Sequence, residues 1–208
     1  MNDLNAFDDL EKTNYAAFGR PCFGEHVSGD TAIIEVRENH LFLAIVDVLG
    51  HGPAAHDLSL KIEEFLKENW TIDVQETLLN LHKNCQGTLG AAVGLGVLEM
   101  RTGLLSYCGV GNTVIRVLGS RSRRLYSTNG IIGSRMHTPV EQQLQLIPSD
   151  ILLLYTDGIK DRFELRDYRQ ILYERCFTIV RRIVRDFSKP YDDATCIALK
   201  YKKNISAI

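Results

Sequence analysis

The chain has 208 residues, of which 45% are hydrophobic and 24% charged, and its formal charge is −2. That length suits one domain able to bury a substantial core. The near-neutral balance excludes any general pull toward nucleic acid or an anionic membrane surface.

No apolar run approaches the ~20 residues needed to cross a bilayer. The N-terminus, Met1-Asn2-Asp3-Leu4, lacks the apolar stretch of a secretory signal. A cytoplasmic location is therefore expected, with no membrane and no nucleic-acid partner. The five cysteines (Cys22, Cys85, Cys108, Cys176 and Cys196) are odd in number and show no CxxC spacing. They read as reduced core thiols rather than zinc ligands or disulfides.

In chain order, the first dozen residues are polar and predict a frayed end. Tyr15 to Phe18 starts a strand, and Pro21 to Ser28 reads as a loop. Thr31 to Val36 is a strand, and Arg37 to His40 turns the chain into Leu41-Phe42-Leu43-Ala44-Ile45-Val46. This last run is short, unbroken and partly β-branched, the pattern of a strand buried on both faces. It ends in Asp47-Val48-Leu49-Gly50-His51-Gly52, where the glycines permit a tight turn. Pro53 suits the first turn of a helix, predicted to run to Asn69 with Leu58, Ile62, Phe65 and Leu66 on one face. A second helix is expected over Val74 to Cys85.

From Ala91 the period changes. Ala91 to Met100 and Leu104 to Val110 form a hairpin around Arg101-Thr102-Gly103, followed by short strands at Val114 to Leu118, Arg123 to Tyr126 and Gln143 to Leu146. Ile151 to Thr156 is a second doubly buried strand, ending in Asp157-Gly158. Arg169 to Phe187 predicts one long helix, and Asp192-Asp193 introduces a last strand, Ala194 to Tyr201. No repeat, linker or low-complexity segment divides the chain, so one domain spanning 1–208 of mixed α and β structure is expected.

Asp47 and Asp157 each close an apolar strand, whereas Asp30 and Asp192 each open one. Antiparallel pairing would bring all four carboxylates to one edge, an unfavourable crowding of negative charge unless cations neutralise it. Hard divalent ions such as Mg²⁺ or Mn²⁺ suit oxygen ligands. The plainer alternative is turn chemistry, since Asp beside a strand and Asp-Gly pairs are ordinary turn formers.

Gly29-Asp30, Asp47-Val48-Leu49-Gly50-His51-Gly52, Tyr155-Thr156-Asp157-Gly158 and Asp192-Asp193-Ala194-Thr195 follow one another in a recognisable order. The series resembles PPM-type metal-dependent serine/threonine phosphatases. Its D-x-x-G-H-G form is similar to the bacterial SpoIIE branch, and the short chain to that branch's stand-alone stressosome phosphatase. The resemblance implies an α+β fold, an αββα sandwich of two mainly antiparallel sheets with helices outside. It also implies two Mn²⁺ (or Mg²⁺) ions in a cleft at one edge.

Carried over, Asp47 would bridge the ions and the Val48 carbonyl would ligate the second. Asp157 and Asp192 would hold the first, and Asp30 would bind the second directly or through water. Catalysis would then rest on Asp47, Asp157 and Asp192 through a metal-activated water. Asp193 is expected to support the site, Thr195 to orient Asp192, His51 to shape the turn and Asn112 to shape the cleft wall. His56 is expected on a helix surface, with acid catalysis as its alternative role. No clear phosphate-binding arginine is present in Pro21 to Asp30, Arg20 being weakly placed, and the Arg121, Arg123 and Arg124 cluster reads as a solvated hairpin face.

The implied substrates are phosphorylated STAS-domain stressosome proteins, with the enzyme a monomer that resets stress signalling. The alternatives are a non-catalytic binding module on the same fold and a hydrolase of small phosphoesters.

Overall fold

The computed structural model describes residues 14–119, 122–161, 170 and 173–202. Its strands are β1 (Tyr15–Arg20), β2 (Asp30–Arg37), β3 (His40–Val48), β4 (Ala91–Glu99), β5 (Leu104–Val110), β6 (Val114–Leu118), β7 (Arg123–Leu125), β8 (Gln142–Gln145), β9 (Ile151–Tyr155) and β10 (Ala194–Lys200). The helices among the described residues are α1 (Pro53–Asn69), α2 (Val74–Asn84) and α3 (Cys176–Phe187).

The strands make two antiparallel sheets, ordered β1-β10-β9-β6-β7 and β2-β3-β4-β5-β8. Side chains alternate across each sheet, which explains the unbroken apolar runs. In β3, Phe42, Ala44 and Val46 pack with α1 and α2, while Leu41, Leu43 and Ile45 face the other sheet. In β9, Ile151, Leu153 and Tyr155 pack with α3, while Leu152 and Leu154 meet the opposite sheet. Three apolar layers result, one under each helical face and one between the sheets. Each fully buried Leu or Ile contributes roughly 1.5–3 kcal/mol through loss of apolar area from water. This is the expected αββα sandwich.

Local chemistry sets the helix ends. Gly52, at φ 75°, turns the chain into Pro53, whose ring is preset for a first helical turn. Asp73 caps α2 by accepting from the Glu76 N–H at 2.8 Å. Trp70 closes α1 by stacking on Phe42, centroids 5.0 Å apart, with the Arg37 guanidinium 4.5 Å from its ring.

The long helix expected from Arg169 is shorter. Arg175 is extended (φ −71°, ψ 151°), and α3 begins at Cys176. Arg169, Ile171 and Leu172 lie outside the described residues. Apolar spacing carried the expected helix across a break that no glycine or proline marks. All five cysteines are buried and free. Among the described residues no helix is long and apolar enough to cross a membrane.

Candidate active site

Asp30 opens β2 and Asp47 nearly closes β3, and antiparallel register sets them opposite one another. Asp157 follows β9 and Asp192 precedes β10, the antiparallel neighbours in the other sheet. The cleft therefore draws one carboxylate pair from each sheet. Gly158 allows the two loops of the second pair to touch, since a Cβ there would stand 1.7 Å from the Asp193 carbonyl oxygen.

Asp157 accepts from Asn112 Nδ2 at 2.7 Å. The Lys189 ammonium lies 3.7 Å from Asp192 Oδ2 and 4.0 Å from Asp157 Oδ1. Asp47 and Asn112 line a cleft of about 330 Å³ whose far wall is the Asn129-Gly130-Ile131 turn. Asn112 thus forms wall and carboxylate partner at once.

Negative charge is under-compensated here. Burial first, then the Asp157, Asp192 and Asp193 carboxylates, push Asp47 up to about 7, against the pull of Lys189. Burial and the facing Asp47 raise Asp30 well above the usual carboxylate range, and the Thr156 hydroxyl opposes them. Asp192 is raised by burial and then by Asp157. Each shift reports a carboxylate disfavoured as an anion and short of positive partners.

A supporting shell holds these groups. Thr156 Oγ1 donates to Asp30 Oδ2 at 2.7 Å and accepts from the Thr195 N–H at 3.0 Å, while its own N–H donates to the Thr195 carbonyl at 3.1 Å. The side chain completes a rung of the β9–β10 ladder and reaches the other sheet. Thr195 therefore acts through its backbone on Thr156, rather than on Asp192 as expected. Asp193 accepts from the N–H groups of Cys22 (2.8 Å) and Gly29 (2.7 Å), pinning both ends of the 22–29 loop.

His56 is half-buried, its Nδ1 2.9 Å from the Ser28 carbonyl, so it holds the Asp30 approach rather than standing free on the helix. His51 is exposed and pairs with Glu25 at 2.8 Å, fixing the turn. Arg20 is bound to Ser188 Oγ and to the carbonyls of Pro21, Lys189 and Asp192, which leaves it as a loop clamp. Arg123 pairs with Asp150, and Arg124 and Arg116 with Asp161, so each of these arginines is held by a carboxylate. Arg121 lies outside the described residues. Thr156 and Lys189 were missed in the sequence, and neither carries a local signal beyond its place in a motif loop.

Hard cations take oxygen donors and commonly keep several waters. Among the described residues no three His, Cys, Asp or Glu side chains converge as a group able to hold one ion. The carboxylates instead face one another in pairs, Asp30 with Asp47 and Asp157 with Asp192. All-oxygen donors, carboxylates raised for want of positive charge and one nearby ammonium fit water-rich Mg²⁺ or Mn²⁺ sites with few protein ligands each.

Residues 37–202, most of the chain, match the family described as Stage II sporulation protein E (SpoIIE). The chain belongs to this family. It is a PPM-type serine/threonine phosphatase domain. Solved structures similar to this SpoIIE-family domain share its fold. One, described under the bacterial stressosome as a modular system adapted to control secondary messenger signaling, is 23% identical, with 89% of this chain and 98% of that one covered at a TM-score of 0.83. RsbX in complex with magnesium is 17% identical, with 90% and 94% covered at 0.78. The PP2C phosphatase domain of SpoIIE from Bacillus subtilis, with a fragment of its regulatory domain, is 20% identical at 0.74. There 89% of this chain spans 62% of the longer one.

Proposed function

We propose that this SpoIIE-family domain is a cytoplasmic, two-metal phosphatase that dephosphorylates serine or threonine on STAS-domain stressosome proteins and so resets stress signalling. The observation that carries the catalytic part is the cleft in which two sheets each deliver a pair of charge-starved aspartates. Two similar structures support the partner, one described under the bacterial stressosome and one as RsbX with magnesium.

In this reading Asp30, Asp47, Asp157, Asp192 and the Val48 carbonyl would hold the two ions, with water completing each coordination shell. Bound Mg²⁺ or Mn²⁺ would supply charge stabilisation for the phosphoryl group and an activated water for in-line attack. Asn112 fixes the orientation of Asp157. Thr156 and Asp193 keep the β2 end of the cleft at a constant distance from the β9–β10 end.

The test is hydrolysis of an aryl phosphate with and without Mn²⁺ by the wild type and by Asp47→Asn, with folding of the variant checked by circular dichroism. Metal-dependent turnover that disappears in folded Asp47→Asn is the expected result. A wild type inert with every divalent ion, also on a phosphoserine peptide, would overturn it. Faster turnover of a nucleotide panel than of a phosphorylated STAS-domain protein would overturn the substrate assignment alone.

A further inference from the structure

Helix α3 carries a basic stripe on the face opposite its apolar one. Ile179, Val180, Ile183 and Val184 are buried, while Arg181, Arg182 and Arg185 recur at helical spacing on the outer side. The stripe borders a groove of about 570 Å³ between α3 and β1, with Phe18 and Phe177 among its lining residues and Arg20 at one end. The Arg181 guanidinium lies 5.8 Å from the Phe18 ring and 5.6 Å from the Phe177 ring. Arg182 pairs with Glu174 at 2.9 Å and Arg185 with Asp186 at 2.6 Å. Arg181 has no carboxylate partner among the described residues. Among the described residues the groove lining carries four arginines and no carboxylate, in a chain whose net charge is −2.

At its Arg20 end the groove adjoins the loop that leads to Asp192. Arg20 donates to Ser188 Oγ at 3.0 Å and to the Asp192 carbonyl at 3.3 Å, and Lys189 follows Ser188 directly. A chain lying along the arginines would run toward the loop that carries Lys189 and Asp192.

We infer that the α3–β1 groove docks an acidic segment of the phosphoprotein substrate, with Arg181 as its principal contact. This rests on the phosphoprotein phosphatase reading above. Guanidinium groups held over aromatic rings are oriented for carboxylates and keep their donors available. A concave groove takes an extended chain, whereas a lipid surface would touch only its rim.

The test has two arms. Fluorescence anisotropy would measure binding of a labelled, unphosphorylated Glu/Asp-rich peptide and a neutral peptide of equal length. Wild type, Arg181→Glu, Arg181→Gln and the distant Arg101→Glu would be compared at two salt concentrations. The expected result is at least tenfold preference for the acidic peptide, weakened by salt, lost in both Arg181 variants and kept in Arg101→Glu. The Gln variant reads the contact should the Glu variant misfold.

Equal binding of the two peptides by wild type, or an Arg181→Gln protein that keeps the preference, overturns the proposal. So does binding to phosphatidylserine vesicles that depends on Arg181 while peptide binding does not. In the second arm, kcat/KM for phosphoserine peptides with acidic and neutral flanks should differ at least tenfold in wild type and by less than twofold in Arg181→Gln. Arg181-dependent acidic-peptide binding without any phosphopeptide turnover leaves docking standing and removes the phosphatase reading.

Discussion

Replacing Thr156 by valine should cost this protein more than its size change suggests. Valine keeps the shape and burial of threonine and removes only the hydroxyl. That hydroxyl makes two bonds, a donation to Asp30 Oδ2 at 2.7 Å and an acceptance from the Thr195 N–H at 3.0 Å. With the Asp30 carboxyl disfavoured as an anion, its hydrogen bond contributes about 0.5–1.5 kcal/mol, and a buried N–H left without a partner costs about 1–3 kcal/mol. Both atoms are buried, so water cannot readily replace the hydroxyl. Allowing for a gain from the extra apolar methyl, the expected loss is about 1–3 kcal/mol. Urea unfolding in EDTA, read by circular dichroism, would report it as a lower midpoint at unchanged slope. Mn²⁺ affinity, measured by calorimetry, should weaken as well, because Asp30 loses its orienting donor. A stability loss below about 0.5 kcal/mol would refute the reasoning and make Thr156 a spectator of the two sheets.

Asp47 gives a pH dependence of unusual sign. Its carboxyl sits at about 7 in the fold, above its ordinary value of 3.8, so the folded state binds the proton more tightly than the unfolded chain does. The resulting stability is present at acid pH and is lost as pH rises through about 7, with an upper limit of ~4 kcal/mol for a shift of roughly three units. Tm in EDTA should therefore fall between pH 5 and 7.5, and Asp47→Asn should flatten that slope; a wild-type Tm rising over the range would contradict it. Excess Mn²⁺ should raise Tm most at the upper end of the same range, since a ligand of the ionised form stabilises it by mass action. Asp193→Ala should cost about 2–4 kcal/mol and speed hydrogen exchange at the Cys22 and Gly29 amides, which the carboxylate now holds; unchanged exchange would remove its role as a staple. Lys189→Met should tighten Mn²⁺ binding roughly three- to tenfold by removing a cation about 4 Å from two candidate ligands, and weaker binding in calorimetry would reverse that assignment.

The two central strands were legible because burial on both faces leaves a distinctive trace, whereas the αββα layering was implied only by the family resemblance. Leu41 to Val46 and Ile151 to Tyr155 have no polar residue to break them, and each stops at a carboxylate loop. The antiparallel pairing of β2 with β3 and of β9 with β10 was a condition in the sequence, and the structure supplies it to gather Asp30, Asp47, Asp157 and Asp192. The supporting shell was not legible. Thr156 reaches Asp30 across 126 residues, and Asp193 reaches Cys22 and Gly29 across 171 and 164 residues. No local period encodes such pairs. Arg20 was the one arginine near the expected phosphate position, and its partners are the Ser188 hydroxyl and carbonyls that only the folded chain supplies. The start of α3 was missed for the opposite reason, because apolar spacing continues through a residue whose backbone is extended.

The division of the aspartates between two sheets has a mechanical consequence. Neither sheet owns a complete site, so the distance across the cleft is set by how Leu43, Ile45, Leu152, Leu154 and Ile197 interdigitate in the layer between them. A strand advances about 3.3 Å per residue, so even a fractional slide of one sheet over the other exceeds the tolerance of a coordination shell. Truncations deep in that layer, far from any reacting atom, should detune catalysis before they unfold the protein. The middle layer is in effect the calibration of the active site.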